Sequence, residues 1–195
     1  MSIMSRLREE TASNHEQIEN NPYAKAIMNQ TLSLEQYIVY LEKFYGFIKP
    51  AERVIAQLTG WGEIGASLRE RAKSPLLESD LLALGRTQEE VAQLPECTEL
   101  PELYSTAQAL GYLYVIEGST MGGQMITKQV RKFLPEAETE GKGTQYFNAY
   151  GTETRAKWAE FRELVEQSVI SDEAALQAVE AAKSTFTTLE AWINA

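Results

Sequence analysis

From about Glu102 to Leu134 the chain carries a single helix-period pattern, unusually long for a globular protein, interrupted by Gly118-Ser119-Thr120-Met121-Gly122-Gly123-Gln124. A glycine inside a helix costs up to ~1 kcal/mol relative to alanine. Three of them here, with a fourth at Gly111, require something to approach the backbone closely. At roughly 100° per residue, Gly111, Gly118 and Gly122 fall within roughly 40° of one another, and Gly123 lies about 100° away. Two uses fit such a strip of bare backbone. A neighbouring helix can pack unusually close, as in Gly-x-x-x-Gly contacts, or a flat ligand can lie against the main chain. The extra Gly123 favours a bend, and so a ligand. A phosphate-binding loop is excluded, because the Gly-x-x-x-x-Gly-Lys-Ser/Thr order is absent and no strand precedes it.

The rest of the chain is also helical in pattern. Ile3 to about Asn20 reads as one helix, with Ile3, Leu7, Thr11, Asn14 and Ile18 on its inner stripe. His15 falls at the border of that stripe, Glu19 follows at i+4 within reach of the imidazole, and Arg8 lies two turns below on nearly the same side. His15 is the only histidine. Its spacing fits a surface residue before a ligand, yet it is the sole candidate for an imidazole ligand. A metal held by protein groups alone needs three or four of them. A cofactor with its own equatorial ligands needs one axial histidine, which describes haem.

Ser33 and Gln36 form a capping box ahead of a helix carrying Tyr37, Ile38, Leu41, Phe44, Tyr45 and Ile48, which Pro50 should kink or end. That aromatic stripe reads as core first and as a cofactor wall second. Gly60-Trp61-Gly62 marks a break, and Ile64 to Leu84 reads as one or two short helices divided near Ser74-Pro75, with Leu68, Leu76, Leu77, Leu81 and Leu84 inward. Arg69, Arg71 and Lys73 make a small basic cluster, which reads first as a solvated helix face and second as a receiver for an anion. Beyond the polar link Pro135 to Gly143, Phe147, Tyr150 and Gly151 suggest a short packed segment. A helix over Thr152 to Ser168 presents Trp158, Phe161 and Val165, and a last helix from Ser171-Asp172 presents Leu176, Val179, Phe186, Leu189 and Ile193. No stretch alternates at period two, so the expected fold class is all-α.

A chain of 195 residues fits one domain, here 1–195. No apolar run is long enough to span a membrane, and the polar N-terminus lacks a signal-peptide core, so the expected location is cytoplasmic. A formal net charge of −10 argues against nucleic acid as a partner. Cys97 is the only cysteine, so no intrachain disulfide and no cysteine-based zinc site can form. It is expected in a loop and incidental.

Two segments together resemble the haem oxygenases, particularly the bacterial biliverdin-producing ones. His15-x-x-x-Glu19-Asn20 resembles that family's proximal-ligand motif, and Leu113-Tyr114-Val115-Ile116-Glu117-Gly118-Ser119-Thr120-Met121-Gly122-Gly123-Gln124 resembles its kinked distal helix. The order, the separation and the helical reading match over essentially the whole chain. The resemblance implies His15 as axial iron ligand and Glu19 as acceptor for its other ring nitrogen. Gly118 and Gly122, with Gly123, would lie over the opposite haem face, where missing side chains bring the backbone close and direct oxygen toward a meso carbon. Mammalian-type members place an aspartate after the first glycine, and Ser119 stands there in this chain. That departure points to the bacterial branch and leaves proton delivery unassigned. Arg8 is the first choice for a haem propionate, with Lys128, Lys157 and Arg162 weaker ones, while Phe186 resembles a pocket-lining aromatic and reads equally well as core.

The implied reaction converts haem, dioxygen and reducing electrons into biliverdin, carbon monoxide and ferrous iron, with haem as both cofactor and substrate. Electrons would come from a separate reductase or ferredoxin-like donor, since no flavin or nicotinamide fingerprint is present. Iron acquisition and bilin supply to a photoreceptor are equally compatible purposes. A non-catalytic haem or bilin carrier, or a haem-free helical enzyme of the same fold, are the alternatives.

Overall fold

The computed structural model describes residues 1–59 and 69–195, and among these no strand forms beyond one isolated bridge between Thr139 and Lys142. The all-α expectation holds. In order the helices are α1 (Ile3–Glu10), α2 (Ala12–Glu19), α3 (Pro22–Met28), α4 (Leu34–Ile55), α5 (Ser74–Ala83), α6 (Gln88–Ala92), α7 (Thr106–Phe133), α8 (Gln145–Asn148), α9 (Thr154–Ser168) and α10 (Asp172–Asn194). The expected break at Gly60-Trp61-Gly62 and the inward Leu68 lie outside the described residues. No described helix is long and apolar enough to cross a membrane.

The first helix differs from expectation, because Ile3 to Asn20 is two helices rather than one. Thr11 divides them: its Oγ1 donates to the Leu7 carbonyl at 2.7 Å, a back-bond of the kind that bends helices. Ile3, Leu7 and Thr11 are buried as the stripe requires, whereas α2 buries no residue at all. Its side chains are therefore available for something other than packing.

The Ser33–Gln36 capping box is present, and α4 then runs through Pro50 without ending. A proline inside a helix leaves the carbonyl four residues back without its donor. That carbonyl belongs to Gly46, and the Cys97 N–H donates to it at 2.8 Å. A Cβ on Gly46 would overlap the Pro95 carbonyl oxygen, so glycine is what admits this loop. Cys97 does lie in a loop and is buried, and burial pushes its thiol up from the ordinary range.

α7 begins at a second capping box, Ser105 with Gln108, somewhat later than the apolar pattern suggests. α7 and α10 form the most extensive helix pair; α1 and α2 pack on α10, and α9 packs on α7 and α1. On the other side α5 lies against α4 and α8. The aromatic stripe of α4 is core: Tyr37, Tyr40 and Phe44 pack on Tyr146 and Phe147 with centroids 5.0 to 6.2 Å apart. Buried Asp80 fastens the 143–146 segment by accepting the N–H groups of Gly143, Gln145 and Tyr146 at 2.7 to 3.0 Å. Leu176, expected inward on α10, is about half exposed instead.

Candidate functional site

The glycines of α7 divide by what lies in front of them. A Cβ on Gly111 would overlap the backbone carbonyl of Ala178, so this glycine lets α10 approach. Gly123 was expected at a ligand, but a Cβ there would overlap the Phe147 carbonyl. Its side is buried and serves packing against α8. Gly118 and Gly122 behave differently. Only the Trp158 indole comes near Gly118, at an ordinary 3.6 Å from a built Cβ, and nothing lies within 4 Å at Gly122. Close packing is thus realised at Gly111 and Gly123, and the part not used that way is Gly118 with Gly122.

Ser119 is exposed, yet its Oγ turns back and donates to the Ile116 carbonyl at 2.7 Å. Burial pushes the Tyr146 phenol well above its usual range, and Ser119 partly offsets that rise. The serine is engaged with the helix and the core behind it.

His15 stands on α2 with its side chain 56% exposed. Its Nδ1 is 3.6 Å from Glu19 Oε1, ion-pair range and slightly beyond a hydrogen bond. Phe186 meets the imidazole edge-on, with centroids 5.8 Å apart and planes at 78°. Phe186 is itself buried, so it serves as core on one side and as a stop for the imidazole on the other. Nε2 has no hydrogen bond among the described residues. No group of three His, Cys, Asp or Glu side chains there could hold a metal by itself. A single axial ligand is the one mode the arrangement offers.

The α1–α2 junction reaches α7 one turn before Gly118. Burial raises the Tyr114 phenol, while its hydrogen bond with Thr11 and the charge of Arg8 partly offset the rise. Arg8 is therefore near this end of the strip, exposed and without an ion pair among the described residues. Lys128 is likewise exposed, but helix geometry turns it roughly 80° round from Gly118. It flanks the strip.

The basic cluster 69–73 is where the sequence misled. Arg71 and Lys73 are buried, at 5% and 1% exposure, and both grip Glu117, the residue before Gly118. Arg71 Nη1 donates to Glu117 Oε2 at 2.7 Å and Lys73 Nζ to Oε1 at 2.5 Å. Lys73 Nζ also donates to the Arg71 carbonyl and the Tyr150 hydroxyl, and Tyr150 in turn bonds the Glu117 carboxylate at 2.9 Å. All three ammonium protons are used. Burial lowers the Lys73 pKa and the Glu117 charge works against that fall. The sequence shows these cations without their acceptor, which arrives from a distant helix; Ser74 and the Lys73 N–H are held by Glu52 in addition.

A lone exposed imidazole, a backbone strip with open space at Gly122 and exposed cations without an ion pair among the described residues suit a large planar anion carrying its own metal, and these residues fit haem. A family profile described as "Heme oxygenase" matches residues 1–195. A curated "Heme oxygenase" of Xanthomonas campestris is 33% identical over 132 residues, covering 67% of this chain and 73% of that protein. The heme oxygenase structure from Leptospira interrogans superposes with a TM-score of 0.77 at 19% identity, covering 99% and 98% of the two chains. That of heme oxygenase-1 from the cyanobacterium Synechocystis, solved in complex with heme, gives 0.76 at 17% identity over 100% and 91%.

Proposed function

The chain belongs to the haem oxygenase family, and from that premise we propose that it cleaves haem at a meso carbon to biliverdin, carbon monoxide and ferrous iron, using dioxygen and electrons from a separate donor. Haem, when bound, supplies both the redox-active iron and the carbon that is oxidised. His15 Nε2 would hold the metal, and Glu19 would accept a hydrogen bond from Nδ1–H once the 3.6 Å gap closes, with Phe186 limiting rotation of the ring. Arg8 neutralises a propionate at the cleft mouth, with Lys128 as the second cation. Gly118 and Gly122 keep side chains away from the face opposite His15.

The observation that carries this reading is the division among the glycines. Packing accounts for Gly111 and Gly123, and among the described residues leaves Gly118 with only the Trp158 edge at ordinary contact distance and Gly122 open. The haem-free alternative would need its own nucleophile, and Cys97 is buried with its pKa raised, which leaves it protonated and withdrawn.

Hemin titration followed by reductant and oxygen tests the proposal. A shifted Soret band and then biliverdin absorbance are expected; no Soret shift would sink it, and a stable complex that never yields bilin would make the protein a carrier. His15→Ala should lose the axial-ligand spectrum and most turnover. Glu19→Gln should retain binding and lower turnover by roughly tenfold, as for an outer partner of a metal-bound histidine.

A further inference from the structure

The contacts around Gly118 close on themselves. Glu117 binds Arg71 at 2.7 Å, and the Arg71 guanidinium lies 5.5 Å from the Phe161 ring centroid. Phe161 stacks on Trp158, with centroids 5.7 Å apart and planes at 21°. The far edge of the Trp158 indole ends 3.6 Å from a Cβ built on Gly118, whose chain neighbour is Glu117. On its other side Trp158 meets Tyr114 at 5.8 Å. Among the described residues nothing comparable stands before Gly122. The bare strip therefore has a wall at one end and none at the other.

That wall is rigid for an electrostatic reason. Swinging Trp158 away would strip one face from Phe161 and loosen the packing over Arg71, a buried cation whose partners Glu117 and the Lys157 carbonyl fix its place. Disturbing a buried charge within its hydrogen-bonded set is costly. The indole thus stays where the circuit holds it.

We infer that Trp158 is a positioning residue that sets where a planar macrocycle seats along α7, by barring the space at Gly118 and leaving Gly122 open. This rests on the haem oxygenase reading for its consequence, which is the choice of the meso carbon nearest the bare backbone. Glu117 and Arg71 act through Trp158 rather than on the ligand.

Two readouts test it. Haem-methyl NMR of the ferric complex reports seating without turnover, and chromatography of the bilin reports the carbon cleaved. Trp158→Ala should give a second set of methyl signals and change the isomer ratio roughly 2- to 10-fold, the factor an aromatic contact of this kind supplies. Trp158→Phe, which keeps a ring on Phe161, should restore much of the original pattern. Glu117→Gln should move both readouts in the direction of Trp158→Ala; if that variant does not fold, the Trp158 pair decides. An unchanged single seating and unchanged isomers in Trp158→Ala would overturn the inference. Wild-type protein that binds hemin but yields no bilin would remove the catalytic reading while the NMR comparison still decided the role of Trp158, and failure to bind hemin would remove both.

Discussion

Gly111 and Gly122 share a face of α7, yet alanine at the two positions should have opposite effects. At Gly111 a methyl would overlap the Ala178 carbonyl, backbone against backbone, so α7 and α10 must separate. Overpacking of this kind costs ~1–3 kcal/mol or more, read as a lower melting temperature. At Gly122 the methyl meets nothing, so helix propensity should raise stability by ~0.5–1 kcal/mol while hemin affinity falls. Hemin binding by Gly122→Ala equal to wild type would remove the strip from the ligand face. Helical periodicity made the alignment of these glycines legible from sequence, and the lone histidine suggested what might oppose them. It could not separate the packing glycines from the open ones, because Ala178 and Phe147 approach from remote parts of the chain. Arg71 and Lys73 were unreadable for the same reason: a cation in sequence carries no sign of where its carboxylate is.

Among the elements, α4 depends on a loop it does not contain. The carbonyl that Pro50 leaves unserved is satisfied by the Cys97 N–H, so the backbone at 97 matters more than the thiol. Cys97→Ala keeps that donor and should cost about 1 kcal/mol. Cys97→Pro removes it, leaves a buried carbonyl unpaired and should cost ~3 kcal/mol or more in urea unfolding. Equal costs for the two variants would show that the hydrogen bond contributes little. The helix starts at Ser33 and Ser171 were readable from their capping residues. The Ser105–Gln108 box carries the same signature and places the start of α7 better than apolar periodicity does. The division at Thr11 was not readable, since a threonine on the inner stripe looks like any other buried position until its hydroxyl is seen bonded to Leu7.

Over the whole molecule, acid should unfold the protein through its surface carboxylates. Hydrogen bonds from Arg6 and Lys183 lower the Glu10 pKa, the Thr87 N–H lowers that of Glu90, and Arg53 lowers that of Glu96. Below about pH 4.5 the unfolded chain takes up protons that the folded carboxylates resist, so their stabilisation is lost as pH falls through the folded pKa values. Asp80 opposes this trend, because burial raises its pKa above 3.8 despite its three N–H donors, and its contribution is lost as pH rises. With Glu138, four lowered carboxylates stand against one raised, and the urea midpoint should fall on going from about pH 4.5 to pH 3. Salt near 1 M should flatten that slope, since the pairs are at the surface; a slope indifferent to salt would show that these surface pairs are not its origin. At this scale the all-α class was legible because every apolar stripe has helical period. One consequence belongs to α7 as a mechanical object. It is clamped by Ala178 at Gly111 and by Phe147 at Gly123, so the segment between them is a beam with two fixed supports. Such a beam can bow but cannot slide, and any accommodation to a guest at Gly118 and Gly122 must come as curvature.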